Sequence, residues 1–129
     1  MLFRSIGDPI KQIQPLLNRE DVLSLIDAVS LITITDDVLD YIIDIVNNIR
    51  SKDEVTLKVS PRGSIALFKA AQAYAAISGR SYILPEDIKY LAPFVLNHRM
   101  SIRGVHGIDA QMAYVTRIVE EVPVPLEKR

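Results

Sequence analysis

The chain contains no cysteine. This excludes a disulfide framework and a thiolate metal site, and it suits a reducing compartment, so a cytoplasmic location is expected. Histidine is almost as scarce: His98 and His106 stand without a His-x-x-x-His spacing, and no metal site is expected. The five glycines (Gly7, Gly63, Gly79, Gly104 and Gly107) form no G-x-x-x-x-G-K-[ST] loop, so these residues cannot cradle a nucleoside triphosphate by themselves. No Gly-x-Ser-x-Gly elbow is present, which leaves a serine hydrolase without support. No apolar run approaches the roughly 18 residues of a membrane span, and the N-terminal MLFRSIGDPI reaches Gly-Asp-Pro too soon for a signal peptide. Charge of one sign is also missing. Fifteen basic against sixteen acidic residues give a net charge of -1, so nothing global points to nucleic acid or to a membrane surface.

What is present suits one domain over 1–129: 129 residues, 49% of them hydrophobic, can bury roughly two-thirds of the unfolded surface. Locally the charge is uneven. Between Ser60 and His106 the six cations Arg62, Lys69, Arg80, Lys89, Arg99 and Arg103 outnumber Glu86 and Asp87, which makes the middle of the chain a basic island.

Helical periodicity runs through most of the chain. After a short irregular entry around Asp8-Pro9 and Pro15, NREDVLSLIDAVSLI places Val22, Leu25, Ile26 and Val29 on one face, expected to turn inward. TDDVLDYIIDIVNNIR repeats the pattern with Thr35 as a cap and Val38, Ile42, Ile45, Val46 and Ile49 as a core stripe. In SKDEVTLKVS, Val55, Leu57 and Val59 alternate with polar residues, which predicts a short extended segment. The next helix carries apolar residues from Ile65 to Ile77 around almost its whole circumference, as a helix surrounded by others would, and Gly79 is a left-handed stop. Pro85 opens a further helix that Pro93 kinks or ends. SIRGVHG is a looped or extended connector. The last helix, IDAQMAYVTRIVEEV, turns Ile108, Met112, Val115, Ile118 or Val119, and Val122 inward before Pro123 and Pro125. The expected fold is all-α: a bundle of about five helices with at most one small β element.

The stretch SPRGSIALFKAAQAYAAISGR poses the functional question. Ser60 at the cap and Pro61 at the first helical position place Arg62 beside the partly positive helix N-terminus. An arginine there is either exposed, at a cost below about 1 kcal/mol, or faces an anion from elsewhere. Arg80, at the other end of the same helix and about 25 Å away, cannot share that anion. The carboxylate pairs Asp36/Asp37 and Glu86/Asp87 lie where helix N-termini favour negative charge, and, with Glu120/Glu121, they are read as structural rather than as acid/base dyads. The five tyrosines (Tyr41, Tyr74, Tyr82, Tyr90 and Tyr114) are spread through the helices and are read as core or rim residues.

SPRGSIALFKAAQAYAAISGRSYILPEDIKYLAPFVLNHRM resembles the C-terminal lid of MoxR-type AAA+ ATPases, whose pattern runs Ser-Pro-Arg, an alanine-rich helix, Gly-Arg, a Pro-Glu-Asp helix start and a Leu-x-His-Arg ending. DAVSLITITDDVLDYIIDIV and the closing EEVPVP extend the resemblance over nearly the whole chain. Leu84 departs from it, standing where the family usually has a capping Thr or Ser. The resemblance implies an AAA+ lid fold and makes Arg62 the sensor-2 arginine that reaches ATP phosphates on a core ATPase domain absent from these residues, with Ser60, Pro61 and Ser64 as secondary contacts. It further implies ATP and Mg²⁺ in a full-length parent and none bound by the fragment alone, which would not itself be catalytic. The implied partners are the core domain of the same chain, neighbouring subunits of a ring, usually a hexamer, and proteins with von Willebrand A domains. The work implied is chaperone-like maturation of partner complexes, without nucleic acid or membrane. AAISGRSYILPEDIKYLA is also similar to the end of a histone fold, so a helical DNA-binding or protein-interaction module stands as the alternative, against which the net charge argues.

Overall fold

In the computed structural model, which describes residues 9–125, a short 3-10 turn (Pro9–Gln12) leads into helix α1 (Arg19–Ser30) and helix α2 (Asp36–Ser51). Strand β1 (Val55–Leu57) precedes helix α3 (Pro61–Ile77) and helix α4 (Pro85–Leu96). A 3-10 turn (Asn97–Arg99), strand β2 (Ser101–Ile102) and helix α5 (Ile108–Glu121) complete the order. Asp8 of the expected N-terminal break lies outside the described residues. The five-helix bundle with one small β element is thus as expected.

Local chemistry sets the helix ends. Asn18 and Asp21 form a reciprocal capping box at α1, with the Asp21 amide donating to Asn18 Oδ1 at 2.8 Å and the Asn18 amide to Asp21 Oδ2 at 2.9 Å. Thr35 occupies the cap of α2, but its side chain makes no capping bond. At the end of α3, Gly79 takes a φ of 73°, its amide donates to Ala76 O, and the Arg80 amide donates to Ala75 O. This paired arrangement closes the last carbonyls of the helix in the left-handed turn that glycine permits. Helix α4 runs unbroken through the buried Pro93, so the expected break falls three residues later, where the Asn97 amide bonds Pro93 O and the chain tightens into the 3-10 turn.

The core forms where four helices meet. Ile42, Ile45 and Ile49 of α2, Leu67, Ala71 and Ala75 of α3, Ile88, Ala92 and Leu96 of α4, and Val115, Ile118 and Val119 of α5 are all buried. Each fully buried Val, Leu or Ile contributes roughly 1.5–3 kcal/mol. The alanines Ala71, Ala75 and Ala92 let α3 and α4 approach closely. β1 and β2 pair antiparallel, Val55 opposite Ile102, and the pairing ties the chain before α3 to the connector before α5.

Several inward assignments fail in an instructive way. No residue of α1 is buried: Val22, Leu25 and Ile26 are 44%, 53% and 60% exposed. The chain just after α1 is fastened by buried Gln72 of α3, whose Nε2 donates to Ile32 O at 3.1 Å. Helix α3 is not wrapped on all sides, because Ile65 and Ile77 face solvent. On α5, Ile108 is exposed and Met112 half-buried, where it lines a shallow hollow with Lys89, Tyr90 and Pro93 of α4. Leu57 is exposed where the β1 register slips.

Candidate functional site

Arg62 stands at the second position of α3, exposed, and among the described residues its side chain makes no hydrogen bond or ion pair. Around it the helix N-terminus is left open. Ser60 occupies the cap without a side-chain capping bond, Pro61 has no N–H to donate, and no carbonyl outside the helix accepts from the Arg62 amide. Ser60 and Pro61 are exposed and Ser64, one turn on, is half-buried, so the residues singled out in the sequence fall together on one helix end.

That end is held rigidly by residues the sequence did not single out for it. Arg50, in the last turn of α2, donates its Nε to Val59 O at 2.7 Å and fixes the chain just before the cap. Gly63 is buried, and a Cβ there would clash with the Cγ1 of buried Val59. Such a Cβ would also stand 3.6 Å from Leu96 and 3.9 Å from Arg99 Cδ. Only glycine therefore lets the first turn of α3 settle against β1's exit and the end of α4. Arg99 lies on the same side, its Nε buried without a partner. The Arg-Gly pair in SPRG was the readable signal for Gly63. Nothing local in the sequence couples Arg50 to Val59.

Arg80 behaves in the opposite way. Its guanidinium forms a bidentate pair with buried Asp87, which pins the end of α3 to the start of α4, and the Asp87 hydrogen bond holds its pKa above the ordinary value. Asp87 Oδ2 also accepts from the Leu84 amide at 2.8 Å. Half of a capping box thus survives although the Leu84 side chain cannot accept. Glu86 and Asp87 are first-turn residues of α4, as Asp36 and Asp37 are of α2.

Two other features lie away from Arg62. A hollow of about 610 Å³ at the start of α5 is lined by His106, Tyr114 and Arg117 among others. The buried Tyr114 hydroxyl has no partner in hydrogen-bonding geometry, yet burial and the neighbouring Glu54 carboxylate push its pKa up to about 12. On the outer face of α3 and α4, Tyr74, Tyr90 and Phe94 form a ladder with centroids 5.4 Å apart at each step, an arrangement their scattered positions in the sequence did not suggest. Tyr82 is an exposed loop residue bridged to Thr33 rather than a helical one. Among the described residues no group of three or more His, Cys, Asp or Glu could hold a metal ion, and no helix is long and apolar enough to cross a membrane.

An open guanidinium beside amides at a helix N-terminus can receive an anion. The sequence profile of the AAA lid domain family matches residues 47–121, a span that includes the stretch also similar to a histone fold. The uncharacterized protein YeaC of Bacillus subtilis is 44% identical over 123 residues, covering 93% of this chain and 38% of that protein. Chaperone MoxR1 of Mycobacterium tuberculosis is 28% identical over 125 residues, covering 88% of this chain and 33% of that protein. A crystal structure of a Cytophaga hutchinsonii protein assigned as an ATPase superposes with a TM-score of 0.76 at 27% identity, over 89% of this chain and 38% of its own. This chain therefore spans between one third and two fifths of the length of these relatives.

Proposed function

Because the chain belongs to the AAA lid domain family, as a C-terminal lid of the MoxR type, we propose that it closes over ATP bound to the core domain of a longer, cytoplasmic parent and that Arg62 is its phosphate-sensing arginine. The observation that carries this reading is the open end of α3: an exposed, unpaired Arg62 beside a cap whose hydroxyl makes no bond, in a helix start held in place by Gly63, Val59 and Arg50. These residues fit a terminal phosphate. The guanidinium offers several directed donors, and the helix N-terminus adds a favourable partial charge.

ATP with Mg²⁺ supplies the hydrolysable anhydride when bound, and this chain contributes no cluster able to hold the metal among its described residues. Arg62 binds and orients the terminal phosphate, and Ser60, Pro61 and Ser64 shape the approach to it. Loss of that phosphate removes the anion opposite Arg62 and releases the lid, a rigid-body movement that carries hydrolysis to a partner. The fragment alone neither holds nucleotide nor hydrolyses it. Neighbouring subunits of a hexameric ring and proteins with von Willebrand A domains are the partners this reading implies, with chaperone-like maturation as the work done.

The test is Arg62→Ala in the full-length parent. Turnover falls on the order of 100-fold, as on removal of one preorganised charge-stabilising donor. Arg62→Lys recovers only part of it, because an ammonium lacks the planar fork. Unchanged turnover in Arg62→Ala removes Arg62 from the site.

A further inference from the structure

We propose that the apolar face of α1, carried by Val22, Leu25 and Ile26, is a docking surface for the ATPase core that precedes the lid in the same parent chain; this rests on the lid reading above. The face is unpartnered in a way that a twelve-residue helix does not sustain alone. Isolated helices shorter than ~12–15 residues are marginal in water, and most helical stability comes from packing an amphipathic face. Yet α1 buries none of its residues. Exposed apolar residues continue into Leu17, Leu16 and Ile13, each more than half exposed, so the arm from residue 13 to residue 26 presents exposed apolar side chains.

Two observations choose the occupant. The AAA lid profile matches from residue 47, so this arm lies outside the matched span, while YeaC and MoxR1 match across nearly all of this chain and extend well beyond it. The arm is thus a shared element on the side of the lid where the rest of a C-terminal lid's parent lies. Size decides against a second copy. A stripe along a helix ~18 Å long and about 10 Å wide offers on the order of 200 Å². Two copies pairing through it, even with the preceding segment added, fall short of the roughly 1,200 Å² of a stable interface. A partner in the same chain needs far less, because the tether sets a high effective concentration. The fastening at the far end agrees with such a role: Gln72 and the Thr33–Tyr82 bridge anchor residues 30–33 to the lid and leave the stripe free to engage something else.

The absence of cysteine makes the test direct, since Ile26→Cys places the single thiol of residues 1–129 on the stripe and Ile77→Cys places one on an exposed position of α3. In the full-length parent, alkylation followed by peptide mass spectrometry is expected to be about tenfold slower at Ile26→Cys than at Ile77→Cys, with protection that survives dilution below ring assembly. Val22→Cys, on the same face, is expected to agree. Equal rates in both overturn the docking surface while leaving the lid reading to the Arg62→Ala test. Protection that disappears on dilution assigns the face to another copy and overturns the same-chain occupant. A source gene whose frame upstream of residue 1 encodes no G-x-x-x-x-G-K-[ST] core overturns this inference and the lid reading together.

Discussion

Arg80 and Asp87 meet as a fork, Nη1 on Oδ2 at 2.8 Å and Nη2 on Oδ1 at 2.7 Å, and so join the end of α3 to the start of α4. The pair separates two arginines of one helix by role. Asp87 is 4% exposed, and removing its partner leaves a buried carboxylate uncompensated. Arg80→Ala is therefore expected to lower the melting midpoint by on the order of 10 °C, whereas Arg62→Ala shifts it by about 2 °C or less. Thermal unfolding of the two variants checks this, and equal midpoints would contradict the division of roles.

Gly63 is predicted to tolerate no side chain. Gly63→Ala drives a methyl into Val59 Cγ1 in a packed site, a cost of about 1–3 kcal/mol. Val59→Ala clears the obstruction at its own cavity cost. The double variant is then expected to be more stable than the sum of the two single losses, which a denaturant double-mutant cycle measures. Additive losses would mean that another contact sets the need for glycine.

Gln72 is predicted to govern α1. Gln72→Leu leaves the Ile32 carbonyl without its 3.1 Å donor, at a cost of about 1–2 kcal/mol. Hydrogen exchange is the appropriate readout, with amides of residues 19–32 exchanging faster while α4 and α5 stay protected. Uniform acceleration across all helices would show that Gln72 supports the whole bundle instead.

Stability is predicted to have two pH limbs. The Glu121 carboxyl is held below its ordinary 4.5 by the Lys52 ammonium, then by Asn48. Its contribution is present above 4.5 and is lost as the pH falls through the depressed value. Glu121→Gln is expected to flatten that acid limb. Tyr114 is the reverse case: burial and Glu54 raise it from 10.0 to about 12, so its contribution is complete below pH 10 and lost as the pH rises toward 12. Tyr114→Phe is expected to reduce the alkaline loss. Denaturant midpoints across the two ranges test both limbs.

Helices and their ends were legible because their causes are local. The stripe of Ile42, Ile45 and Ile49, the Gly79 stop and the Pro85 start each depend on neighbours within about one turn. For the same reason the Ser-Pro-Arg start could be placed at a helix N-terminus, and the family resemblance could be read from it. Which apolar face is covered is not a local property. Val22 and Ile42 have the same periodic signature, yet one is exposed and the other buried, because burial depends on what lies opposite.

The sequence by itself therefore determined the helical elements, the position of Arg62 at the start of α3 and the absence of a G-x-x-x-x-G-K-[ST] loop. Only the tertiary structure decided which arginine is committed and which is free. Arg80 finds Asp87 across a turn, Arg50 finds Val59, and Arg62 finds no partner among the described residues. Charge pairing of this kind is settled by distances of a few ångströms between segments that only the packing of α2, α3 and α4 brings together.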